Sequence, residues 1–170
     1  MRLPVRQLLL AALMAGGVAG PALAQPAVLV KSKPITGTVP DYAADLPGPA
    51  RRWIDEETER QFQAPTSLYD LEFAMLKALE PELQKMAKRQ HLSYDETRVL
   101  VMHQVITGAA ARMDKAVRNR RIALDKAHTP QARDPELNAL ARRKSGLLAL
   151  IQELGPRMTP NTRLLTSVKK

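Results

Sequence analysis

The sequence predicts an all-α protein: an elongated antiparallel bundle of three to four helices behind an extended N-terminal arm. Three observations lead there. Apolar residues recur at spacings of three and four through residues 68–154. Ser67, Ser93 and Asp134 stand in front of these stripes with the chemistry of helix N-caps. No strand-like alternation competes with the helical stripes.

Residues 1–24 have the layout of a cleaved signal peptide. Arg2 and Arg6 make a positive leading region, Leu8 to Val18 is free of charge, and Pro21-Ala22-Leu23-Ala24 offers small residues for a peptidase. The apolar run is well short of the ~20 residues that span a bilayer and is broken by Gly16, Gly17 and Gly20. The expectation is therefore a periplasmic product, soluble or peripheral to the membrane. The chain has no cysteine, which excludes disulfides, thiol catalysis, thioether haem and iron–sulfur ligation. With aromatic residues at only 4%, a core must be built from Leu, Ile, Val, Met and Ala.

Residues 25–50 form the arm. Pro26, Pro34, Pro40, Pro47 and Pro49 forbid a helix and favour extended backbone. Val28, Leu29, Val30, Ile35, Val39, Tyr42 and Leu46 are too apolar for a pure linker, so the arm is expected to lie along a partner. The helical body itself is an equal candidate for that surface, and a flexible tail is the plainer reading.

Residues 51–170 are read as the helical domain. Pro49 suits the first position of a helix running to about Gln63, with Asp55, Glu56 and Glu57 in its early turns. Ser67-Leu68-Tyr69-Asp70 resembles a capping box with Asp in place of Glu. The helix it opens carries Leu68, Leu71, Met75, Leu79, Leu83 and Met86 on one face. Pro81 falls away from that stripe, so a kink with the same buried face continuing is expected. Ser93-Tyr94-Asp95-Glu96 is a full capping box opening the longest helix, to about Ala127. Its stripe comprises Val99, Met102, Ile106, Ala109, Ala110, Met113, Val117 and Leu124. Gly108-Ala109-Ala110-Ala111 marks either a tolerated local cost or the close approach of a neighbouring helix. Asp134-Pro135-Glu136 starts the next helix, with Leu137, Leu140, Leu147, Leu148, Ile151 and Leu154 on one face and Gly155-Pro156 as its stop. Thr159-Pro160 caps one last short turn.

Chemical motifs are sparse. His91, His103 and His128 have no second ligand at helical spacing, so no metal and no cofactor is expected. Asp55, Glu56, Glu57 and Glu59 point in different directions on a helix and read as a solvated face. There is no nucleophile elbow, phosphate loop or zinc spacing, and no catalytic residue is assigned. The formal net charge of +9 raises nucleic acid as a partner, with Arg112, Lys115, Arg118, Arg120, Arg121 and Lys126 crowding the end of the long helix. Export, the scatter of these residues around the axis and the lack of interleaved aromatics argue against it. Arg118, Arg120 and Arg121 are instead expected to face an acidic protein surface or anionic lipid headgroups, or to serve as a solubilising face.

The plan of a signal at 1–24, a proline-spaced arm at 25–50 and a helical remainder without cofactor motifs resembles the small cofactor-free subunit of the membrane-bound quinohaemoprotein alcohol dehydrogenases. That resemblance implies a larger partner chain bearing the catalytic centre and haems, and no catalytic residue or small-molecule substrate here. Separately, Leu92-Ser93-Tyr94-Asp95-Glu96 is similar to the Leu-Thr-x-x-Gln helix starts of Spy-type periplasmic chaperones, although Thr and Gln are both replaced. A capping box accounts for the same residues. The expected function is thus a non-catalytic accessory subunit of a larger periplasmic or membrane-associated protein. A free helical chaperone and a module binding anionic membranes are the alternatives.

Overall fold

A computed structural model describes residues 46–167, and within them the chain is all helical with no strand. Five α-helices follow in order: α1 over Gly48–Gln63, α2 over Leu68–Gln90, α3 over Tyr94–Lys126, α4 over Pro135–Leu154 and α5 over Pro160–Ser167. Short 3-10 turns at Gln131–Arg133 and Gly155–Arg157 join the last three. The eight-residue α5 is longer than the single turn expected from Thr159-Pro160.

The helix starts form for local reasons. Pro47 precedes α1 with an extended backbone, and the helix begins at Gly48, inside the segment assigned to the arm. The Oγ of Ser67 accepts from the Asp70 N–H at 3.1 Å. The Asp70 carboxylate accepts from the Ser67 hydroxyl and not from its backbone, so this box is only half made. One methylene fewer than Glu shortens the reach back to the N-cap N–H. The longer Glu96 completes the box at Ser93, accepting from the Ser93 N–H at 2.9 Å while Ser93 Oγ accepts from the Glu96 N–H. Asp134 caps α4 through the Leu137 N–H at 2.7 Å.

Neighbouring helices alternate in direction. Tyr94 reaches Glu80, and Arg98 pairs with Glu72, so α2 and α3 run antiparallel. Asp114 pairs with Lys144, and Arg120 with Asp134 and Glu136, so α3 and α4 also run antiparallel. Helix α1 lies parallel to α3, with Thr58 beside Gly108 and Glu59 beside Arg112.

The first half of α3 is the centre of the bundle. Val99, Leu100, Val101 and Met102 are four consecutive buried residues. At ~100° per residue they point most of the way around the axis, so neighbours enclose this stretch. The sequence stripe found one buried side and missed Leu100, Val101 and Val105 on the others. The second half is thinner: past Met113, Leu124 is its only buried residue. Helix α2 buries all six residues of its stripe and carries Pro81 on its exposed side, with Leu83 and Met86 continuing the buried face beyond it. In α4, Leu148 is 46% exposed and Leu150 is buried in its place. Leu150 stands three residues after Leu147 and keeps to its face, whereas Leu148 is rotated by ~100°.

Candidate interaction surfaces

Two buried polar clusters hold the elements that carry the surfaces. Glu96, 2% exposed, accepts from the Ser93 N–H and hydroxyl on one oxygen. Its other oxygen accepts from Thr159 Oγ1 at 2.6 Å and Asn161 Nδ2 at 3.4 Å. A single carboxylate therefore caps α3 and ties down the start of α5. In the second cluster, Gln61 Nε2 donates to Glu57 at 2.9 Å and to Thr66 Oγ1 at 2.7 Å, while Gln61 Oε1 accepts from the Thr66 N–H. Glu57 is thus buried, unlike the solvated position expected for it, and its donors are Arg60 and Gln61 of its own helix.

Arg98 is the hub of a third group. It pairs with Glu72 and Asp95 and lies 5.6 Å from the Tyr94 ring centroid, and Glu72 also takes Arg157 at 2.9 Å. The Tyr94 hydroxyl donates to Glu80 at 2.7 Å. Partial burial and the Glu80 carboxylate push its phenol up to about 12.

Of the exposed large apolar side chains among the described residues, the two most exposed are neighbours on α2. Tyr69 and Phe73 are 74% and 61% exposed and stand one turn apart. The partly buried Leu76 follows on the same side. No described aromatic is fully buried, and the core consists of Leu, Met, Val, Ile and Ala. The signal for this ridge was present in the sequence as aromatics four apart and off the apolar stripe.

The basic side chains divide into used and unused. Arg112 is taken by Glu59 at 2.6 Å. Arg120 is 2.5 Å from Asp134 and 2.9 Å from Glu136. This corrects the expectation that Arg120 faces a partner: the N-cap carboxylate of α4 already occupies it. The Arg120 hydrogen bond and the Leu137 N–H hold Asp134 below the usual carboxylate range, and Asp134 in turn raises Arg120. Arg118 and Arg121 are exposed and engage in no ion pair among the described residues. For Leu46, the alternative of packing on the helical body applies. It is 6% exposed and belongs to the chain's own core, so the end of the arm packs on the helical body. Val28, Leu29, Val30, Ile35, Val39 and Tyr42 lie outside the described residues.

Comparison of the chain with family models, curated proteins and solved structures finds no match. The surfaces themselves therefore carry the functional reading.

Among the described residues, no group of three or more His, Asp or Glu gathers as metal ligands would. His103 lies on the flank of α3, where burial lowers its basicity. His91 and His128 both adopt left-handed backbone (φ 53° and 50°) just past helix ends, a conformation more usual for glycine. No described helix is long and apolar enough to cross a membrane.

Proposed function

We propose that this chain is a non-catalytic accessory subunit, exported by residues 1–24, that docks on a larger protein and stabilises or anchors it. The supporting observation is the Tyr69–Phe73 ridge on α2. Single exposed apolar residues are ordinary, but two adjacent aromatics left open beside a wholly aliphatic core are the residue type and arrangement that anchor interfaces. Aromatic rings bury about 150–250 Å² each, enough to contribute several kcal/mol to association when a partner covers both. A membrane-bound dehydrogenase complex is one partner of the expected kind.

The test is affinity capture of the full chain from its native cells after membrane solubilisation, beside a Tyr69→Glu/Phe73→Glu variant. A stoichiometric companion recovered with the wild type and lost with the variant is the expected result. Recovery of the wild type as a lone chain that suppresses aggregation of an unfolded protein would replace this reading with the free-chaperone one.

A further inference from the structure

Positive charge is segregated in the molecule. Residues 112–144 contain ten basic and four acidic residues, whereas the rest of the described chain contains ten basic and eleven acidic. Within α3, the pairs at Arg112 and Arg120 remove two cations from the set scattered around the axis. Lys115, Arg118, Arg121 and Lys126 remain without an ion pair among the described residues; Lys115, Arg118 and Lys126 span about 80° of arc with Ile122, and Arg121 lies about 60° outside it. Ile122 is 53% exposed. This stripe lies opposite Met113 and Leu124, the side chains that α3 buries here. Asp125 borders it and is engaged by Gln131 Nε2 at 2.7 Å.

The stripe continues a face that is already an interhelical contact. Gly108, Lys115 and Ile122 are spaced by seven, so they lie nearly in line along the axis. At Gly108 that line is covered by α1, where an added Cβ would stand 3.2 Å from the Thr58 methyl. Helix α1 ends at Gln63, and Glu59–Arg112 is its last ion pair with α3. Beyond it, the ion pairs of α3 all go to α4 or its cap. One apolar side chain at heptad spacing from a helix contact, flanked by three unpaired cations, suits a helix with acidic flanks.

We propose that Lys115, Arg118, Ile122 and Lys126 form a docking surface for an acidic amphipathic helix of the partner protein, seated in line with α1. The proposal rests on the accessory-subunit reading but uses residues remote in sequence from Tyr69 and Phe73. The probe is a labelled synthetic helical peptide with Leu at its seam and Glu on both flanks, titrated against the full chain by fluorescence anisotropy. Binding is expected to weaken with added salt and to weaken at least about tenfold in Lys115→Glu/Arg118→Glu/Lys126→Glu. It should persist in the charge-matched control Lys77→Glu/Lys88→Glu/Arg89→Glu. Both triple variants alter exposed positions, and circular dichroism checks that they stay folded. No peptide binding at low salt, or equal loss in both triples, overturns the proposal. So does loss of binding to phosphatidylglycerol vesicles in the stripe variant while peptide binding is unchanged, which would assign the stripe to lipid. Affinity capture separates the two readings: a companion retained by the stripe variant but lost by the ridge variant sinks the stripe alone.

Discussion

At the scale of single residues, Gly108 shows how packing reverses a propensity. Replacing glycine by alanine inside an exposed helix gains about 1 kcal/mol. Here the new methyl would meet Thr58 Cγ2 at 3.2 Å, and Thr58 is itself buried in α1. Gly108→Ala should therefore fail to stabilise the protein and lower its melting temperature. In a Thr58→Ser background the obstructing methyl is gone, and the same substitution should recover up to about 1 kcal/mol. Chemical denaturation of the four proteins in this cycle measures the coupling. His103 gives a second test. Burial lowers its folded pKa, so the unfolded chain takes up the proton first as pH falls. Its contribution to stability is intact above the unfolded value of about 6.5 and declines below it, until the folded form also protonates. Stability of the wild type should thus fall as the pH drops below about 6.5. His103→Gln should flatten that part of the profile in denaturant midpoints.

At the scale of elements, the N-caps do more than begin helices. Glu96 completes the capping box of α3 and also receives Thr159 and Asn161 from the start of α5. An ordinary cap substitution costs about 1 kcal/mol. Glu96→Ala should cost more, about 2–4 kcal/mol, because it also strands polar groups at buried positions. Hydrogen exchange would distinguish the two parts of the effect: amides of residues 160–167 should lose protection ahead of the bundle. Equal loss across all helices would reduce Glu96 to a simple cap. Asp134 does comparable work at the other end, capping α4 while holding Arg120. The second pairing engages a cation that the sequence leaves open to a partner.

At the scale of the whole molecule, the bundle is thick at one end and thin at the other. Four consecutive buried positions, Val99 to Met102, lie where neighbours surround α3, whereas Leu124, Leu137 and Leu140 hold its far end against α4. If straight, α3 is on the order of 50 Å long, which separates these regions. Met102→Ala should destabilise the entire fold by about 2–5 kcal/mol. Leu124→Ala should instead loosen the α3–α4 tip, raising exchange at residues 117–137 with a smaller change in the main melting transition. A uniform loss of protection from both variants would show that the tip unfolds only together with the body.

The legibility of this protein divides along the range of the forces involved. Helix identity, caps and one buried stripe per helix depend on residues within about a turn of each other, and they stood in the sequence from Ser67 to Leu154. The exposed Leu148 and the central enclosure of α3 required knowing how many neighbours each helix has. Three positions depend on the fold beyond what periodicity gives: the body buries Leu46, the cap of α4 engages Arg120, and Glu57 is buried although its partners Arg60 and Gln61 stand on its own helix. Sequence alone determined the helices and the excess of positive charge. Tertiary structure decided which cations remain free, because a salt bridge requires two side chains to meet in space and helical periodicity locates only one of them.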